Sequence, residues 1–190
     1  MTDAILEAAL LSFANRGFAA TTIRQLTIDL GVTRRSILQR FPSTDDLLLA
    51  VATRDTENFL DALEAMPIRQ SAFESDFRNI CKKLWDRGRD MEEAKLLRTY
   101  FGEMSRLPQL ADVVREFYLA LAKVLEDKVA EAKVFGRFPD FASVAVADCA
   151  ISMIISTPRI RNMVLDDTIN DDVRGAELFE RNYAFLTKLS

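Results

Sequence analysis

No histidine occurs among the 190 residues, so the commonest general base and the commonest metal ligand near neutral pH are both missing. Cysteine is scarce. Cys81 and Cys149 lie far apart in apolar, helix-like surroundings, with no Cys-x-x-Cys spacing, and read as reduced core thiols rather than a disulfide or a zinc site. Six glycines and five prolines leave little room for disorder or for many turn-separated strands, and few stretches alternate with period two. No glycine-rich phosphate loop is present. The acid pairs Glu92-Glu93 and Asp166-Asp167 are neighbours in sequence and read as helix-end or loop charges. No catalytic residue, metal or cofactor is therefore expected, and the chain does not read as an enzyme. The opening residues do not form a signal peptide, and the most apolar stretch, residues 141–155, is interrupted by Asp148 and falls short of a bilayer span. A soluble, cytoplasmic protein with no membrane partner is expected.

What is present is concentrated in residues 21–41, TTIRQLTIDLGVTRRSILQRF, which spell two short helices joined by a glycine turn. Thr22 followed by Gln25 predicts a capping box at the first helix start, and Gly31 suits the positive φ of a helix-ending turn. Thr33 caps the second helix. On it Ile37 and Phe41, four apart, form the inner side, while Arg34, Arg35, Ser36, Gln39 and Arg40 lie on or near the solvent side. The whole chain carries a net charge of −4, yet between Arg16 and Thr44 five arginines meet one acid, Asp29, for a local net of +4. A basic face on an acidic body orients an approach to DNA and makes binding salt-dependent.

The flanks complete a resemblance. ILEAALLSFANRGF from Ile5 to Phe18 is a helix with Ile5, Ala9 and Phe13 on one stripe, ending at Gly17, and FPSTDDLLLAV opens a further helix capped by Ser43. With Thr22-Ile23, Gly31-Val32-Thr33, Ile37, Phe41-Pro42-Ser43 and Asp46-Leu47-Leu48 at matching spacing, residues 5–48 resemble the TetR family of bacterial transcription regulators. Leu38 stands where most members carry a phosphate-contacting Tyr, Thr44 where a Lys is usual, and with Met1-Thr2-Asp3 at its start no basic N-terminal arm is expected. The resemblance implies an all-α chain. Residues 1–46 would be a three-helix DNA-binding domain and residues 47–190 a helical bundle for ligand binding and dimerisation.

Beyond the motif, prolines and small loops divide the sequence into long helices, expected at about 44–66, 70–88, 91–106, 108–135, 140–157 and 172–189. The resemblance implies double-stranded DNA as partner, with Arg34, Arg35, Gln39 and Arg40 in the groove and Thr22, Arg24, Thr33 and Ser36 on phosphates. It also implies a cavity among the middle helices for an apolar or aromatic small molecule. The candidate walls are Phe59, Phe77, Trp85, Tyr100, Phe101, Met104, Phe117 and Tyr118. Residues 140–157 are apolar nearly all round and so must be buried by something. In this family the last two helices form a homodimer interface, which here would use Val146, Ala150, Met153, Ile154, Phe179, Tyr183 and Leu186. The function so implied is a ligand-responsive regulator, a repressor, on palindromic operator DNA. The alternative is a TetR-like protein that binds a ligand or partner and has weakened or lost its DNA binding.

Overall fold

The computed structural model describes residues 1–164 and 169–189; Asp166 and Asp167 lie outside them. Among the described residues every regular element is a helix. They pack as two compact units, one of Met1–Asn58 with Lys95–Phe117 and one of Phe59–Ala94 with the chain from Tyr118 onward.

In the first unit, α1 (Thr2–Ala20) buries Ile5, Ala9 and Phe13 completely, as their spacing of four predicts. Its hydrogen bonding continues beyond the expected stop at Gly17, but the helix kinks there, where Gly17 adopts φ 74°. The Thr21 hydroxyl ties the kink down by donating to the Gly17 carbonyl and pairing with Ser12. Next comes α2 (Ile23–Leu30), closed by Gly31 in the left-handed region at φ 65°. A five-residue α3 (Arg34–Leu38) then starts at the Thr33 cap, whose hydroxyl accepts from the Ser36 amide at 3.1 Å. Helix α4 (Thr44–Glu64) opens on a Ser43 cap that accepts from the Asp46 amide, while the Ser43 hydroxyl donates to the Asp46 carboxylate at 2.6 Å.

The second unit holds α5 (Phe73–Arg89), preceded by a short 3-10 turn at Gln70–Ala72, and parts of α6 (Met91–Glu103) and α7 (Gln109–Lys133). Phe73 and Phe77 stack at 5.5 Å between ring centres and meet Phe138, which is fully buried. Cys81 and Cys149 are both free; burial pushes the Cys81 thiol up to about 12, so it stays protonated at neutral pH.

The helix expected at 140–157 runs further, as one continuous helix Ser143–Met163. Its parts are α8 (Ser143–Ala150), a π-helical stretch Ile151–Ser156, and α9 (Thr157–Met163). Pro158 should break it, having no N–H and a ring that crowds the preceding turn. The wider π turns accommodate the proline, and the Thr157 hydroxyl donates to the Ser152 carbonyl five residues back. The expectation of a stretch too short for a bilayer is thereby corrected: by length and apolar composition alone, this helix could cross one. Its inner side is nevertheless packed within the unit, with Ile154 and Ile155 fully buried and Arg159 reaching the Glu93 carboxylate at 3.2 Å. The last helix, α10 (Asp172–Thr187), starts at Asp171, whose carboxylate accepts from the amides of Val173 and Arg174.

The close approach of α5 to the π stretch depends on Gly88. A Cβ there would lie 2.5 Å from the Ile155 carbonyl oxygen and 2.7 Å from the Pro158 ring. Gly88→Ala is expected to cost about 2 kcal/mol, seen as a fall of roughly 4–8 °C in the thermal midpoint by calorimetry. A second expectation concerns acid. Asp76 is buried and accepts three hydrogen bonds from Arg69, two of them from the guanidinium, which hold its carboxyl below the usual carboxylate range. A depressed folded-state value stabilises the protein above the unfolded value of about 4, and that stabilisation is lost as pH falls through the folded value. Urea melts between pH 6 and pH 2.5 should therefore show a steeper acid loss for the wild type than for Asp76→Asn, which starts less stable.

Candidate nucleic-acid interface

Within the first unit the helix-turn-helix is fixed from beneath. Ile23, Leu26, Ile37 and Phe41 are buried, and each such side chain contributes roughly 1.5–3 kcal/mol when fully removed from water. Above them Thr22, Arg24, Thr33, Arg34, Arg35, Gln39 and Arg40 are exposed and Ser36 is half-buried, so all eight expected DNA-contacting residues reach the surface of α2 and α3 or their caps. Thr22 caps α2 by accepting from the Gln25 amide at 3.1 Å, but the reciprocal half of the expected box is not made. Gln25 donates instead to Asp29 at 2.8 Å, and Arg16 lies 3.6 Å from the same carboxylate. The one acid of the motif is thus engaged. Arg24, Arg34 and Arg35 have no ion-pair partner among the described residues, which leaves their charge available to an external anion.

Arg40 is placed differently from its expected role in a groove. Its Nε donates to the Thr2 hydroxyl at 3.2 Å and its Nη1 to the Ser36 carbonyl at 2.9 Å, so it braces the end of α3 against the start of α1. Leu38 is half-buried. At the start of α4, Asp45 receives both terminal nitrogens of Arg106, each at 2.8 Å, and this pairing holds its carboxyl below the usual range.

The expected ligand residues are not gathered in one unit. Tyr100, Phe101, Met104 and Phe117 belong to the first; Phe59, Phe77, Trp85 and Tyr118 to the second. Phe77 and Trp85 are core residues rather than walls, packed on Tyr183 at 6.1 Å and Phe179 at 5.6 Å between ring centres. Phe101 is 48% exposed. Phe59 borders a charged groove of about 480 Å³ with Lys82, Lys83, Asp86 and Arg87, and the cations of Lys83 and Arg87 lie over its ring. Tyr118 takes a hydrogen bond from Arg159, which also reaches Glu93, itself 3.0 Å from Arg87. This polar cluster is missed when the helix is ended at residue 157; the signal was Arg159 directly after Pro158 in an otherwise apolar run.

The expected dimer residues lie mostly within the packing of the second unit. Val146, Ala150, Ile154, Phe179, Tyr183 and Leu186 are all buried within the unit and Met153 is half-buried, so their stripe faces this chain's own core. The apolar side chains that α8, α9 and α10 present outward are Val144, Ile160, Val173 and Phe185.

Comparison with known proteins agrees with this geometry. Residues 5–51 match the model of bacterial regulatory proteins of the tetR family. No curated protein sequence matches. Among solved structures, one described as a TetR-family transcriptional regulator from Mesorhizobium loti aligns with a TM-score of 0.83 at 18% identity, covering 99% of this chain and 94% of that one. A TetR transcription regulator from Haloarcula marismortui aligns at 0.77 and 18% identity, with 99% and 95% covered. A third, described as a transcriptional regulator from Saccharomonospora viridis in complex with choline, aligns at 0.68 and 19% identity, with 90% and 96% covered. Residues 5–51 thus match the N-terminal model of the tetR family, and the chain shares its all-helical fold with solved structures described as TetR-family regulators.

Proposed function

We propose that this protein is a cytoplasmic, ligand-responsive transcriptional repressor that binds palindromic operator DNA as a homodimer. Residues 1–46 would read DNA and residues 47–190 would bind the effector and the second subunit. The observation that carries the reading is the pair Arg34 and Arg35, exposed on a helix anchored by Ile37 and Phe41 and not engaged by any acid among the described residues. Two guanidinium groups so held can meet guanine edges or phosphates. Arg24 and the hydroxyls of Thr22, Thr33 and Ser36 would serve the backbone, and Gln39 a base edge. Arg40 would act through its brace to Thr2. Repression needs only occupancy of the promoter.

The outward Val144, Ile160, Val173 and Phe185 are the apolar side chains that a second subunit would cover, and a two-fold dimer would set two reading helices in successive major grooves. The effector is proposed to be an apolar or aromatic small molecule, in keeping with the aromatic content of the middle helices. The second reading, a ligand-binding relative with weakened DNA affinity, is favoured by Leu38, which offers no hydrogen bond to a phosphate, and by Thr44, which brings no cation to the start of α4.

Selection of genomic fragments by the purified protein, followed by salt titration on the best of them, decides between the two. The repressor reading expects a palindrome and an affinity that falls steeply with salt. Arg24→Ala should weaken all sequences about equally, whereas Arg35→Ala should relax preference at one position by roughly 1–3 kcal/mol. Unchanged affinity and preference in Arg35→Ala would show that α3 is not the reading helix. A separate expectation concerns assembly: Phe185→Glu, on the outward side of α10, should yield monomers by light scattering and lose tight binding to the full palindrome. A monomer that keeps full affinity would remove the two-headed mechanism.

A further inference from the structure

The first unit contains one cation that joins three helices. Arg106, in the turn after α6, places both terminal guanidinium nitrogens on the Asp45 carboxylate at 2.8 Å, a bidentate fork. Its Nε donates to Glu103 at 2.8 Å, and its guanidinium carbon lies 4.5 Å from the centre of the Phe18 ring, just past the Gly17 kink in α1. Phe18 in turn stacks on the buried Phe13 at 6.1 Å. The arginine therefore touches the end of α1, the first turn of α4 and the end of α6. The first two of these bracket α2 and α3, with only residues 39–43 separating α3 from α4.

Such a contact is poorly suited to stabilising the fold. Arg106 is 47% and Asp45 38% exposed, and solvent screening reduces exposed ion pairs to little net value. It is well suited to fixing direction, because a planar fork on a carboxylate sets both distance and angle. Resting on the DNA-binding reading above, we propose that Arg106 is a positioning residue for DNA recognition: by clamping Asp45 and covering Phe18 it holds the first turn of α4, and with it α3, in the orientation that presents Arg34 and Arg35. It makes no contact with DNA in this role.

The alternative role, neutralising an acid near the DNA backbone, predicts opposite signs for two variants. Removing the Asp45 charge would then leave affinity unchanged or tighter, since one repulsive carboxylate is gone, and Arg106→Lys would keep full affinity. Under the positioning role, Arg106→Gln and Asp45→Asn each weaken operator binding roughly threefold to thirtyfold. Arg106→Lys, which keeps charge but not the fork, is intermediate. Thermal midpoints of all three stay within about 2 °C of the wild type, as expected for an exposed pair. Amide exchange, measured without DNA, should quicken in α3 and the first turn of α4 of Arg106→Gln and remain unchanged in α5 and α10. Undiminished affinity in Asp45→Asn, full affinity in Arg106→Lys, or unaltered exchange in α3 and α4 would each overturn the proposal. Should the wild type itself select no DNA, the DNA-binding reading fails on its own, and the exchange measurement still decides whether Arg106 fixes α4.

Discussion

Everything the N-terminal unit presents depends on the anchoring of a helix too short to exist alone. Five residues form barely more than one turn, and an isolated helix of that length does not survive in water, because nucleation fixes several backbone angles before any propagation recovers the loss. Helix α3 persists through what lies at its ends and beneath it. Thr33 satisfies the Ser36 amide in its first turn, Ile37 is fully buried, and Phe41 closes its far side. The arginines on the outer side are thereby placed by apolar contacts that carry no charge themselves.

Electrostatics then decides which charges stay available. Asp29 is occupied by Gln25 and Arg16, and Asp45 by Arg106, so two acids near the motif are matched from inside the unit. Arg54 similarly links the start of α1 through the Asp3 carbonyl and the Glu7 carboxylate. The overall charge of −4 thus hides a local arrangement in which positive charge on α2 and α3 is exposed and nearby negative charge is paired.

The N-terminal elements were legible in the sequence because each is set by short-range chemistry. A Thr cap, a glycine at a positive-φ position and an apolar pair four apart state where a helix begins, ends and faces. The misreadings have equally definite causes. Gln25 had two partners within reach, and the sequence could not rank Asp29 above the Thr22 backbone. The helix through Pro158 escaped notice because a π stretch has no signature in hydrophobic period, while the proline has a strong one for breakage. The stripe of Phe179, Tyr183 and Leu186 was legible as apolar, and in the chain by itself it is covered from inside. Periodicity shows that a stripe must be covered but not whether by the same chain or another. The aromatic residues of the middle helices pose the same question, since Phe77 and Trp85, which fill the core, obey the same spacing as a cavity wall.

Cys81 and Cys149 differ in one respect that gives the molecule an intrinsic chemical address. A thiol reagent attacks through the thiolate, and the buried Cys81, held protonated well past neutral pH, offers almost none. Cys149 is half-buried on α8, on the stretch that also carries the outward Val144. On the unaltered sequence a maleimide label is therefore directed to Cys149 in preference to Cys81.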